Sequence, residues 1–191
     1  MKAVKQEDVL NTLKDTLKDN FIDGRIKDSS PAGKNRVMLR NVWMKIKKES
    51  IRQAVKKLAE LQEYPHISVI SNDDIGDNII LNYHLTMNYA IRHREFIITI
   101  KTEIPKSDMH IDTITDIIPG AELTEREKQE MLGIIVDGIP DGRRAFMPRT
   151  YPEGYYPLRK DKENVEKLSS MVRELYVEDR AHLPWKKEAK K

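Results

Sequence analysis

Apolar residues recur at Leu10, Leu13, Leu17 and Phe21 with Lys and Asp between them, which predicts an amphipathic helix over 5–21. The chain then meets Gly24, Ser29, Ser30, Pro31 and Gly33, so 22–36 reads as a short strand plus loop. The stretch "VMLRNVWMKIK", 37–47, favours a strand. Ser50 followed by Gln53 has the pattern of a capping box. It opens a second helix with Ile51, Ala54, Val55, Leu58 and Leu61 on its buried stripe, and Pro65 stops it.

The period then changes to two. "HISVIS" (66–71), "NIILNYHLTM" (78–87) and "EFIITIKTE" (95–103) predict three strands. Ile79, Leu81, Tyr83 and Leu85 share one face of the second, and Asn82, His84 and Thr86 share the other; Phe96, Ile98 and Ile100 repeat the pattern in the third. One apolar and one wetter face marks an antiparallel sheet covered by helices on one side. Ser107 predicts the start of a short helix carrying Ile111, Ile114 and Ile117, ended by Pro119-Gly120. Thr124 and Glu127 form a second capping-box pattern, opening a helix that reaches Met131 and stops at Gly133. Helices and strands come in runs rather than in strict alternation, so the fold class is α+β with a mostly antiparallel sheet packed by helices.

After Asp137 the regular pattern stops. "GIPDGRRAFMPRTYPEGYYPLRKD", 138–161, is too broken for a helix and too rich in proline for a central strand. A late helix follows near 162–178, with Val165, Leu168, Val172 and Leu175 on one side and Asp161 as its cap. The expected organisation is an α+β domain over 1–137 and an extended Pro/Tyr/Arg-rich C-terminal arm with a helix over 138–191.

Composition narrows the function. The chain has 191 residues, enough for one domain with an appendage, and no cysteine. Without thiolates it offers no ordinary ligand set for an iron–sulfur or nickel–iron centre and no disulfide framework. No run of eighteen apolar residues is present, and the first twenty residues lack the apolar stretch of a signal peptide, so a cytoplasmic location is expected. From Ile139 onward Lys and Arg number 13 against 9 Asp and Glu, whereas before it they number 21 against 22. A mildly basic tail of this size is compatible with nucleic acid, acidic lipid or an acidic protein surface.

Chemistry-bearing motifs are sparse. His66, His84, His93, His110 and His182 show no metal-ligand spacing. "NDDIGDN" (72–78) reads as a polar hairpin turn, and "TEREKQE" (124–130) as a charged helix face. No phosphate-binding GxxxxGK[ST] and no GxGxxG occurs, and the terminal "WKKEAKK" reads as a solvated end. The arm stands out. Its prolines stiffen it, and Phe146, Tyr151, Tyr155, Tyr156 and its arginines are the residue types that dominate interfaces. It docks on a partner or wraps its own core, and both can hold along different parts. A free-standing nucleic-acid-binding module using the basic tail, and a small enzyme using Glu125 and Glu127, are the other readings.

Residues 113–161 carry an ordered set of positions: Asp116 and Pro119; Glu125, Arg126 and Glu127; Leu132, Gly133 and Ile134; Gly138, Pro140, Asp141, Arg143 and Arg144; then Pro157, Leu158, Arg159, Lys160 and Asp161. This region resembles the signature of the thirty-kilodalton (C) subunit of respiratory complex I and the equivalent subunits of membrane-bound energy-converting hydrogenases and sulfane reductases. Ile139 and Tyr156 stand where that pattern usually has histidine, which fits an outlying hydrogenase-like or sulfur-reductase-like branch. Richness in lysine, isoleucine and glutamate would suit a thermophile. The resemblance implies a non-catalytic, cofactor-free scaffold subunit of a hetero-oligomeric redox complex, peripheral on the cytoplasmic side of the membrane. Its partners would be a large hydrogenase-like subunit and a small cluster-bearing subunit, which carry the iron–sulfur clusters and any nickel–iron centre. The membrane arm would be reached indirectly, and no nucleic acid is expected. Partner contact or arm anchoring is expected of Glu125, Arg126, Glu127, Arg143, Arg144, Tyr155, Tyr156, Leu158, Arg159, Lys160 and Asp161. No catalytic, cofactor-binding or metal-binding residue is expected.

Overall fold

The computed structural model describes residues 3–29, 39–62, 65–89, 91, 93–148 and 151–181. Helix α1 (Gln6–Leu17) buries Val9, Leu13 and Leu17. It is shorter than the 5–21 expected, because a 3₁₀ turn at Lys18–Asn20 redirects the chain into strand β1 (Phe21–Ser29). Phe21 therefore packs against the core from a strand and not from the helix. Apart from an irregularity at Ile22, 21–29 is paired with strand β2 (Leu39–Ile46), which makes β1 longer than the short strand expected. Ser30, Pro31, Gly33, Val37 and Met38 lie outside the described residues, as do His182 and the terminal "WKKEAKK".

Helix α2 (Ile51–Leu61) buries Ile51, Ala54, Val55 and Leu58 against the same core. The expected Ser50–Gln53 capping box is not formed. A 3₁₀ turn at Lys48–Ser50 already leads into the helix, and the Ser50 hydroxyl turns back to donate to the Lys47 carbonyl at 2.8 Å.

Strands β3 (His66–Ile75), β4 (Asn78–Met87) and β5 (Phe96–Pro105) complete a five-stranded sheet of order β1-β2-β5-β4-β3. Every neighbouring pair is antiparallel except β2 with β5, which is parallel. The fold is thus α+β with a mostly antiparallel sheet; the parallel pair is the addition. Ile79, Leu81, Tyr83, Leu85, Phe96, Ile98 and Ile100 are buried on the helix side, while Trp43, Val69 and Ile97 are exposed on the other. The "NDDIGDN" segment is mostly strand: the ladder continues through Ile75 opposite Asn78, and only Gly76 and Asp77 turn, with Gly76 at a φ of 57°.

The helix expected to start at Ser107 is absent. His110–Asp112 forms strand β6, which pairs in parallel with β7 (Ile135–Asp137) in a second, two-stranded sheet. Ile111 and Ile114 are buried and Ile117 partly so. A three-residue apolar spacing is met equally well by a short strand followed by turns.

Helix α3 (Glu122–Leu132) begins before Thr124, since a 3₁₀ turn at Pro119–Ala121 runs straight into it. The second capping box also fails, and the Thr124 hydroxyl donates to the Ala121 carbonyl at 2.9 Å. Gly133 ends the helix in the left-handed conformation, as expected. Helix α4 (Lys162–Ala181) runs past the expected 178. Asp161 accepts the Val165 N–H through its backbone carbonyl at 2.9 Å, while its carboxylate pairs with Lys106 instead of capping. Val165 is exposed and Asn164 is the buried residue of the first turn; the side chains of Val172 and Leu175 are outside the described ones.

Candidate functional site

Glu122, Arg126 and Glu130 are spaced four apart on α3 and so share one face of it. The arm, 138–161, returns along this helix. Arg126 holds the first leg: Nε donates to the Arg143 carbonyl at 2.8 Å, a second guanidinium nitrogen to the Arg144 carbonyl at 3.3 Å, and a third nitrogen lies 3.4 Å from the Asp141 carboxylate. Asp141 in turn accepts from the Arg143 N–H at 3.0 Å and from its guanidinium at 2.8 Å. The Arg143 guanidinium and N–H, with help from Arg126, hold the Asp141 carboxyl well below the usual carboxylate range. Arg144 donates to the Tyr151 carbonyl, closing the loop between the two legs of the arm.

Glu130 supplies the next anchor. Its carboxylate accepts the backbone N–H groups of Ala145, Phe146 (3.0 Å) and Met147 (2.7 Å). An irregular turn of the arm thus finds its acceptors on a helix side chain.

The second leg is clamped at the end of α3. The Leu158 N–H donates to the Met131 carbonyl at 3.0 Å, and Arg159 Nε to the Leu132 carbonyl at 2.6 Å. These carbonyls belong to the last turn of the helix, which has no intrahelical donors for them. The Arg159 guanidinium lies 4.8 Å from the centre of the Tyr156 ring. Asn164 ties the leg to α4: its amide donates to the Tyr156 carbonyl at 2.7 Å and its oxygen accepts the Tyr156 N–H at 3.0 Å. Finally the Lys160 N–H donates to Asp74 Oδ2 at 2.6 Å, and Lys106 Nζ stands between the carboxylates of Asp74, at 2.7 Å, and Asp161. Burial pushes the Asp74 carboxyl up, but Lys106, the Lys160 N–H and Arg159 outweigh it and leave it lowered. The two carboxylates raise the Lys106 ammonium against the opposing effect of its burial.

Of the residues picked out by sequence, Arg126, Arg143, Arg144, Tyr156, Leu158, Arg159, Lys160 and Asp161 lie in this strap and its anchors. Tyr155 is half-buried and lines a groove of about 350 Å³ between the two legs. Among the described residues, the hydrogen-bond and ion-pair partners of Glu125 and Glu127 lie outside the arm. Glu125 is 2% exposed and accepts from the Thr113 hydroxyl at 2.6 Å and the Ile114 N–H at 2.9 Å; burial pushes its carboxyl up. Glu127 pairs with Lys128 at 2.8 Å, whose ammonium also donates to Asn72 on β3 at 3.0 Å. Asp116 is bound by Arg52 from α2. Sequence reasoning missed Glu130, Asn164, Lys106 and Asp74. Only Glu130 carried a signal, its place four residues after Arg126.

The histidines are dispersed. His84 bonds Ser71 Oγ at 2.8 Å and Thr99 Oγ1 at 3.2 Å on the open sheet face, and burial lowers it. Among the described residues no three His, Asp or Glu side chains are placed to hold a metal ion, and no helix is long and apolar enough to cross a membrane.

Known proteins share this fold. The solved membrane-bound sulfane sulfur reductase, an archaeal respiratory membrane complex, contains a chain that superposes with a TM-score of 0.61 at 20% identity, covering 89% of this chain and 92% of that one. A trypsin-resistant fragment of Nqo5 superposes with a TM-score of 0.52 at 18% identity, covering 71% of this chain and 97% of the fragment. In sequence, the membrane-bound hydrogenase subunit beta of Pyrococcus furiosus is 34% identical over 124 residues, 65% of this chain and 71% of that protein. Formate hydrogenlyase subunit 5 of Escherichia coli is 29% identical over 134 residues, 65% of this chain but 23% of that longer protein. A subunit of the NADH-quinone oxidoreductase of Acidothermus cellulolyticus is 36% identical over 88 residues, 46% of this chain and 43% of that protein. The profile of one family matches residues 44–167, from the second strand of the main sheet to the first turns of α4, and spans the whole strap. The chain belongs to the family of the respiratory-chain NADH dehydrogenase 30 Kd subunit.

Proposed function

We propose that this chain is a non-catalytic scaffold subunit in the peripheral, cytoplasmic arm of a membrane-bound redox complex of the hydrogenase-like or sulfane-reductase-like kind. Family membership in a chain without cysteine is the observation that carries this reading. The relatives are named as subunits of hydrogenase, formate hydrogenlyase and NADH-quinone oxidoreductase. The clusters and any nickel–iron centre then sit in partner subunits, the large hydrogenase-like one and the small cluster-bearing one, and this chain supports electron transfer by holding them in register.

Residues 1–137 serve as the α+β body and 138–191 as the appendage that presents the docking surface. Many of the arm's polar groups turn inward to α3, so the arm works as a stiff, pre-folded relief and not as a loose tether. A surface fixed before docking loses less entropy on association. Arg143, Arg144, Phe146, Leu158, Lys160 and Val165 are exposed, and these with Tyr155 form the partner surface.

Affinity purification of the tagged full chain from its own cells tests the reading. The expected result is a stoichiometric complex with a large hydrogenase-like and a small cluster-bearing subunit, with no turnover by the chain alone. Recovery of a monomer that binds RNA in a salt-dependent manner would contradict it and favour a nucleic-acid-binding module.

A further inference from the structure

Arg126, Arg143, Arg144, Met147, Tyr151 and Glu153 line a trench of about 480 Å³ between the strap and Arg126 of α3. Its charge is unbalanced. Arg126 and Arg143 share the single carboxylate of Asp141, at 3.4 and 2.8 Å, and Glu122 reaches Arg126 only at 3.9 Å. Arg144 has no carboxylate partner among the described residues and donates only to the Tyr151 carbonyl. Glu130 is already engaged by three backbone N–H groups of the strap. Arg143 and Arg144, with the largely covered Arg126, thus line a cavity whose one lining carboxylate is Glu153. The Arg143 side chain is 86% exposed, and Phe146, three residues on, is 49% exposed.

We propose that this trench receives an Asp- or Glu-bearing segment of the partner polypeptide, an inference that rests on the scaffold reading and names the chemistry of its contact. A guanidinium presents a planar fork that matches a carboxylate, and Arg with a neighbouring aromatic is the pairing that anchors protein interfaces. A nucleic-acid backbone fits less well. The cations are accompanied by Glu122, Asp141 and Glu153, so a continuous row of phosphates would run into carboxylates. A single acidic side chain on an otherwise apolar partner surface meets the arginines alone.

The test uses the complex purified on the tagged full chain, in wild-type form and with R144K and R144E. Carbodiimide treatment of the R144K complex couples the new amine directly to a carboxylate within contact, and peptide mass spectrometry locates the join. The expected join runs from position 144 to an Asp or Glu of another polypeptide. R144E, melting at the wild-type temperature, is expected to retain roughly tenfold less partner or lower after a wash at raised salt. A join from position 144 only to Glu153 or another carboxylate of the same chain overturns the inference, and so does full partner retention by R144E. In either case the scaffold reading stands, because the complex was recovered. If the wild-type chain carries no companion polypeptide and binds fluorescent poly(U) in a way that R143E/R144E abolishes, both the inference and the scaffold reading fall.

Discussion

The ring of Tyr156 occupies the space that a Cβ on Gly133 would need: an added methyl there would lie 2.4 Å from the ring carbon Cζ. The same glycine holds a φ of 72° at the end of α3, so it is required twice, once for its backbone conformation and once for the close approach of the strap. Through this contact the end of a helix and the docking of the arm become one structural event.

Gly133→Ala is expected to destabilise the fold by about 2 kcal/mol or more, from left-handed strain plus displacement of the ring. Thermal denaturation measures this. Combining it with Tyr156→Ala should cost less than the sum of the two single changes, because the clash disappears with the ring. Strict additivity would show that the two residues are not in contact.

Glu130→Ala is expected to leave the 145–147 N–H groups without their acceptor while changing global stability by less than about 1 kcal/mol, since that turn is largely solvent-accessible. Hydrogen exchange at Ala145, Phe146 and Met147 should accelerate, with exchange in β4 and β5 unchanged. Unaltered protection at those amides would show that Glu130 does not hold the strap.

Two carboxylates give opposite pH responses. Asp74 has a lowered pKa, so its contribution is present above the unfolded aspartate value and is lost as pH falls through the folded one. Glu125 has a raised pKa, so the native state holds its proton longer than the unfolded chain does, and stability declines as pH rises from the unfolded glutamate value through the folded one. Asp74→Asn should flatten the acid-side loss of stability, and Glu125→Gln should remove the decline above it. Urea titrations between about pH 3 and pH 7 separate the two. Identical pH profiles for wild type and both variants would contradict the assignments.

Lys106→Ala is expected to cost about 2–3 kcal/mol, less than the full penalty for a wholly buried pair because Asp161 is partly exposed. It leaves Asp74, whose side chain is 1% exposed, without its paired cation, and only Arg159, 3.6 Å from the Asp161 carboxylate, remains near the two acids. The arm should then become cleavable by protease near Lys160 before the body unfolds. Cleavage only in step with global unfolding would show that the Asp74–Lys106–Asp161 bridge is not a separate latch.

Much of this was legible in the residues. The alternation of Ile79, Leu81, Tyr83 and Leu85 against Asn82, His84 and Thr86 is a local imprint of which face is buried, and it predicted the sheet and its covered side. The parallel alignment of Trp43 with Thr99 left no such trace, because the partner of a strand is not written in its own period. Both capping boxes failed for one reason: Ser50 and Thr124 stand at the end of, or beyond, a 3₁₀ turn that continues into the helix, and no local pattern revealed those turns. The strap was recognisable as unusual from its prolines, tyrosines and arginines. Its path was not, since Glu130 and Asp74 come within bonding distance of it only through the packing of α3 and β3.

The central claim is that the chain works as a cofactor-free structural partner within a larger redox assembly. Native mass spectrometry of the tagged chain, purified gently from membranes of its own cells, tests this most directly. The account predicts a particle holding one copy of this chain with a large hydrogenase-like and a small cluster-bearing subunit, all iron residing on those companions. A free single chain, or iron bound to this chain by itself, would contradict it.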